Sequence, residues 1–297
     1  MKKMNKSHAL RRQGIAFCIL ALALSLLSAV FPVWNSSLET AVLGALIFVL
    51  GVPHGAFDVI FAKQLYRLES LRRWAFFCVA YVALAGAVVG FWWLFPSAFL
   101  TAFLLVSAFH FSGDLEDGTS AVMRFWYAAS MLIFPAWFYE AEVARLFGAL
   151  VAGEFAGQLA SILHGMALPW CVGLGVTLVL QWRVNRVTSL EVVSVSLLAI
   201  VAPPLLSFTV FFCVMHSARH ALRTQAFAAD MKWLDLLKKA LAPMGACALA
   251  GLALWPTLTN LTFETAVVRI LFVSLAALTV PHMVLIERVR LADWQRT

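Results

Sequence analysis

The chain carries seven histidines in 297 residues, and five of them, His54, His110, His216, His220 and His282, stand in segments that are otherwise almost wholly apolar. His216 and His220 are four apart in CVMHSARH. Four residues of helix rise about 6 Å and return to nearly the same face, so the two imidazoles can reach one ion. An all-nitrogen donor set suits iron, copper, zinc or nickel, and a redox metal with an open position is suited to chemistry with O2. His54 lies in GVPHGAFD. Pro53 removes a backbone donor and kinks its helix, while Gly51 and Gly55 permit close approach, so this imidazole can be presented toward a cavity. Asp58 follows by four, where a carboxylate can accept the second N–H of a metal-bound histidine and fix its tautomer. Asp114 repeats that spacing after His110 in FHFSGD. His282 follows Pro281 as His54 follows Pro53, and reads as a fifth ligand, a donor behind a ligand, or a packing residue. His8 reads as a tail residue and His164 as an interfacial one.

These residues need elements to hold them, and the composition says which kind. Hydrophobic residues make up 63% of the chain and charged ones 12%, and the mean hydropathy is +0.89. That excludes a water-soluble enzyme, a disordered chain and a nucleic-acid binder. The expectation is an all-α, polytopic transmembrane bundle of about eight to ten spans, one membrane domain over 1–297 with a basic tail at 1–12. The basic start precedes an apolar run too long for a signal peptide, so it reads as an uncleaved first helix. Helices of about 20 residues are placed near 13–34, 38–62, 74–95, 97–113, 124–139, 159–181, 189–202, 205–222, 240–258 and 265–286. Pro203–Pro204 marks a sharp break between two of them. The amphipathic stretch from Tyr139 to Gln158 reads as a helix lying on the membrane surface. With both termini inside, every Lys and Arg except Arg145 and Arg269 falls on the cytoplasmic side, which sets the orientation. That topology puts the five histidines at one membrane depth, in the cytoplasmic halves of four spans. Titratable groups at such a depth are functional candidates by default.

Other signatures are absent. His216 is followed by Ser217, so there is no HExxH; no lysine lies mid-span to hold retinal as a Schiff base; a desaturase would need several histidine boxes; and no phosphate-binding loop follows a strand. Gly86 and Gly90 read as helix packing. Trp92, Trp93, Trp126, Trp137, Trp170 and Trp255 read as an interfacial belt. The five cysteines are dispersed, without a CxxC, and read as packing residues.

GVPHGAFD around His54, SAFHFSGD around His110, FFCVMHSARH around His216 and His220, and VPHMVL around His282 resemble the motifs of the Brp/Blh family of bacterial and archaeal membrane β-carotene 15,15'-dioxygenases. The order of motifs and the number of spans extend the likeness over nearly the whole chain, with one departure, Ser112 before Gly113. The resemblance implies cleavage of β-carotene at its central double bond by O2, giving two retinal molecules. It implies a ferrous iron, Fe(2+), held by His54, His110, His216 and His220, and the residues themselves offer His282, Asp58 and Asp114 as a fifth ligand or supporting groups. The implied partners are β-carotene, O2, the lipid bilayer and, downstream, a retinal-binding rhodopsin; the implied location is the cell membrane. An apolar cavity between helices would admit the alkene, with Phe57, Phe109, Phe111, Phe212 and Met215 as candidate lining. Because the histidines lie off the midplane, the carotenoid is expected to tilt, bend or enter sideways rather than stand upright and centred. A membrane electron carrier binding haem or quinone, and a proton-relay transporter, are the other readings that buried histidines permit.

Overall fold

The computed structural model describes residues 2–31, 37–116, 118–228 and 230–294. The end of the expected first span, 32–34, and Arg296 lie outside the described residues. Among the described residues the chain is helical, without strands. The order is α1 (Lys2–Val30), α2 (Ser37–Leu46), a π-helical turn at Ile47–Gly51, α3 (Pro53–Ala56), α4 (Asp58–Leu65), α5 (Leu71–Leu94), α6 (Pro96–Phe111), α7 (Ala121–Ile133) and α8 (Pro135–Gly148). It continues through α9 (Phe155–Trp182), α10 (Arg186–Val201), α11 (Pro204–Val210), a second π-helical turn at Phe211–Ser217, α12 (Ala218–Phe227), α13 (Trp233–Leu254) and α14 (Phe263–Trp294).

Among the described residues, seven segments are long and apolar enough to cross a membrane, and α7 with α8 forms an eighth that is bent by 48°. The spans expected at 97–113 and 189–202 are present as the 16-residue helices α6 and α10. α10, at 16 residues, is too short to count among those segments, and Thr188, Ser189, Glu191, Ser194 and Ser196 all lie on it. All five are buried where α1, α7, α8 and α9 pack against the helix, and Leu190 and Leu197 are its exposed apolar side chains. The chain breaks at Ala202–Pro203 as expected, with both residues extended and α11 restarting at Pro204.

Three expectations need correction. The segment from Tyr139 is not a surface helix: Val143 is buried in the main core and Leu146 against Val268 of α14, leaving the Glu142–Arg145 pair outermost. An amphipathic face finds protein there instead of headgroups. Gly86 and Gly90 face open space, with nothing within 4 Å of a Cβ on either, so they make no close helix contact. Trp126 and Trp170 pack on each other at 4.7 Å, and Trp170 is buried. They belong to the core and not to a belt.

The main core fills the space between α1, α7, α8, α9 and α10, around Phe17, Tyr127, Phe134 and Val195. α5 has no buried residue and α13 only Leu236 and Ala240. These two are the outer spans, and the interior they flank contains the histidines.

Candidate metal centre

His54 opens α3, His110 ends α6, His216 sits in the second π-helical turn, His220 in α12, and His282 two-thirds along α14. All five rings meet. Centroids are 5.0 Å apart for His54 and His216, 5.7 Å for His54 and His220, 5.2 Å for His54 and His282, 4.6 Å for His110 and His216, and 5.1 Å for His220 and His282. Donor nitrogens of His54, His110 and His216 lie within 4.8 Å of one another, close enough to share an ion. His164 is elsewhere, on the Ala136 carbonyl, and His8 is exposed on α1.

The backbone around His54 and His216 departs from α-helical pairing in both places. π-helical turns are rare and favour functional sites because the extra residue per turn re-aims side chains. The two turns face each other here. The Gly51 carbonyl accepts His54 Nδ1–H at 2.6 Å and the Ser217 hydroxyl at 3.3 Å. Phe212 inserts against Gly51, with its ring 5.3 Å from that of His54 and stacked 5.6 Å from that of His216. A Cβ at Gly51 would come 2.5 Å from the Phe212 ring. Gly51→Ala is therefore expected to destabilise the protein by about 1–3 kcal/mol through overpacking and to lower bound metal. Phe212→Ala in the same chain should recover part of both. Thermal unfolding and metal content per chain measure this, and a Gly51→Ala protein with parental metal content would contradict it.

Two carboxylates stand behind the rings. Asp58 Oδ1 accepts His282 Nδ1–H at 2.7 Å, and its Oδ2 accepts the Tyr81 hydroxyl at 2.8 Å. Asp114 Oδ1 accepts His216 Nδ1–H at 2.8 Å, and its Oδ2 accepts the Tyr127 hydroxyl at 3.4 Å. The site thus contains two tyrosine–aspartate–histidine chains. Each carboxylate serves a histidine from another helix and not the one four residues before it, which corrects the HxxxD expectation. The reason is local: the helix breaks at Phe57 between α3 and α4, and α6 ends at Phe111, which puts Asp114 in the following turn. Neither pair keeps an unbroken helical register. With Nδ1 donating in His54, His216 and His282, the Nε2 lone pair of each is left for another partner. Nε2 of His216, His220 and His282 is buried and has no hydrogen-bond partner in the protein. Buried polar atoms are nearly always paired, so three such atoms together mark a place built for a ligand.

The turn carrying Asp114 is clamped by arginines. Arg219 donates to the Asp114 carbonyl at 3.0 Å and grips Glu191 with both terminal nitrogens, at 2.6 and 3.1 Å. Arg223 reaches the Gly113 and Asp114 carbonyls, and Arg124 those of Ser112, Leu115 and Glu116. Sequence reasoning missed Tyr81, Tyr127, Glu191 and Arg219 as supports. The signal for Glu191 was present, as a lone acid in an apolar run.

A cavity of about 1060 Å³ opens beside the histidines, between α5, α13 and α14, with His54 and His282 in its wall. None of the five expected lining residues borders it. Phe57 is buried against Leu236 and Ala240. Phe111 packs on Phe211 and His216. Met215 is fully buried, Phe212 wedges as described, and Phe109 is 61% exposed on the outside.

The sequence profile of the β-carotene 15,15'-dioxygenase family matches residues 45–289. A β-carotene 15,15'-dioxygenase of an uncultured marine bacterium is 28% identical, over 82% of this chain and 91% of that protein. A probable β-carotene 15,15'-dioxygenase of Halobacterium salinarum is also 28% identical, over 93% of this chain and 92% of that one. No solved structure matches the chain. The profile runs through all five histidines and both aspartates, and a match over that much of the sequence decides membership: this chain belongs to the β-carotene 15,15'-dioxygenase family.

Proposed function

We propose that this protein cleaves β-carotene at its central 15,15' double bond with O2, giving two retinal molecules. In this reading it acts in the cell membrane, its product available to a retinal-binding rhodopsin. A non-haem ferrous iron would be held by His54, His110, His216, His220 and His282. The observation that carries the metal reading is the set of buried, unpartnered Nε2 atoms on His216, His220 and His282, facing into one cluster with two more imidazoles. Imidazole donors suit iron. Asp58 and Asp114, each 3% exposed, bring two negative charges into a low-dielectric interior, which a divalent cation beside them offsets. When bound, the iron supplies the O2 chemistry that no side chain here offers.

The residues themselves do three things. The histidines fix the donor positions, and Asp58 and Asp114 hold His282 and His216 in the tautomer that leaves Nε2 free. Tyr81 and Tyr127 hold the aspartates by occupying their outer oxygens. The apolar cavity keeps water from the reacting alkene.

The test is expression in a β-carotene-producing bacterium beside a His216→Ala control. Bleaching with retinal formed by the parent alone is the expected result. A folded, iron-loaded parent that leaves the pigment intact would overturn the reading, and proton-coupled flux without tightly held metal would favour a transporter.

A further inference from the structure

The cavity beside the histidines has a direction. α5 contributes Phe77, Cys78 and Tyr81 to its walls, α13 contributes Pro243, Ala246, Cys247 and Ala250, and α14 contributes Leu275, Leu278, Thr279 and His282. The polar residues Lys63, Gln64, Asp230 and Lys239 come from the end of α4 and from the turn into α13 and its start, and the rest of the lining is mostly apolar apart from Asp58, Tyr81, Thr279 and the two histidines. From Lys239 to Ala250 the lining follows α13 for eleven residues, about 16 Å at helical rise. α13 packs near its start on α3 and α4 and near its end approaches α14, where a Cβ on Gly251 would lie 3.7 Å from Ile270. Since α5 and α13 are the outer spans, the slot between them faces the bilayer. The volume of about 1060 Å³ lies at the top of the range for small-molecule sites, about 300–1,000 Å³. The residues of α13 that face the slot are small, and the buried His282 Nε2, which has no partner, belongs to its wall.

We propose that this slot seats one arm of an extended polyene, which enters sideways from the bilayer between α5 and α13, and that Cys247 and Ala250 set the width that admits it. The inference rests on the carotenoid-cleaving reading and adds where the substrate lies and which helix selects it. A rod-like hydrocarbon dissolved in lipid needs no polar partner, only an apolar trench open to the membrane and deep enough to reach His54 and His282. Sideways entry also suits a reaction centre that the sequence places away from the bilayer midplane.

The experiment measures β-carotene binding to the iron-loaded full chain in lipid nanodiscs under anaerobic conditions, from the absorption of the bound polyene. Iron per chain is measured alongside. Cys247→Trp fills the slot and is expected to weaken binding at least tenfold with iron content unchanged. Leu249→Trp, whose position on the same helix is 69% exposed, should bind as the parent does. Ala250→Trp, nearly one turn along, repeats the test should Cys247→Trp not fold. Parental affinity in a folded, iron-loaded Trp variant at 247 or 250 would overturn the seat while leaving the activity untouched. A parent that neither binds nor cleaves β-carotene would instead overturn the reading of the substrate, and the seat with it.

Discussion

Replacing His282 by alanine is expected to lower iron affinity on the order of a hundredfold or more, a larger loss than removal of a group behind a ligand produces. The motif likeness implies four histidines, but His282 is placed as they are. Its ring lies 5.2 Å from His54, 5.3 Å from His110 and 5.1 Å from His220. Its Nδ1–H is taken by Asp58, and its Nε2 is buried without a partner. Asp58→Asn should cost about 10–100-fold in affinity, the usual effect of removing the acceptor behind a metal-bound imidazole. Tyr81→Phe, one bond further out, should cost less than either. Chelator competition with the purified variants gives the order. A His282→Ala protein that holds iron as the parent does would remove His282 from the ligand set.

How much of this could be read beforehand follows from the range of each interaction. The five histidines were legible because ionisable groups inside apolar segments stand out against composition, and the spacing of spans put them at one depth. The helical bundle was legible for the same reason. What sequence could not give was the pairing across helices. Four-residue spacing puts Asp58 beside His54 and Asp114 beside His110 only in unbroken helix, and the breaks at Phe57 and Phe111 carry each carboxylate to a different ring. The π-helical turns at Ile47–Gly51 and Phe211–Ser217 have no composition signature, so Phe212 looked like cavity lining when it is a wedge. The cavity itself is made by what two outer spans do not touch, and periodicity is silent about that. Arg124, Arg219 and Arg223 read as orientation charges, yet each also holds carbonyls of the turn around Asp114.

That clamp carries the second large effect. Arg219 and Glu191 are each 3% exposed and joined by two hydrogen bonds, and Gln13 accepts from Arg219 Nε at 2.9 Å. A Cβ on Gly14 would overlap the Glu191 carboxylate. Removing one partner of such a pair leaves a buried charge unmatched and destabilises by about 3–5 kcal/mol. Glu191→Leu and Arg219→Met should therefore each lower the unfolding temperature by on the order of 10 °C. The double variant Glu191→Leu/Arg219→Met leaves no unmatched charge, and apolar replacement of both members is often neutral or stabilising. Its unfolding temperature should return toward that of the parent. Iron affinity should not return with it, because the bond from Arg219 to the Asp114 carbonyl is lost in Arg219→Met and in the double variant alike, and Asp114 orients His216. Unfolding curves and chelator competition on the same three proteins separate the two roles. A double variant that regains stability and iron affinity together would show that the pair holds the bundle and has no part in aiming His216.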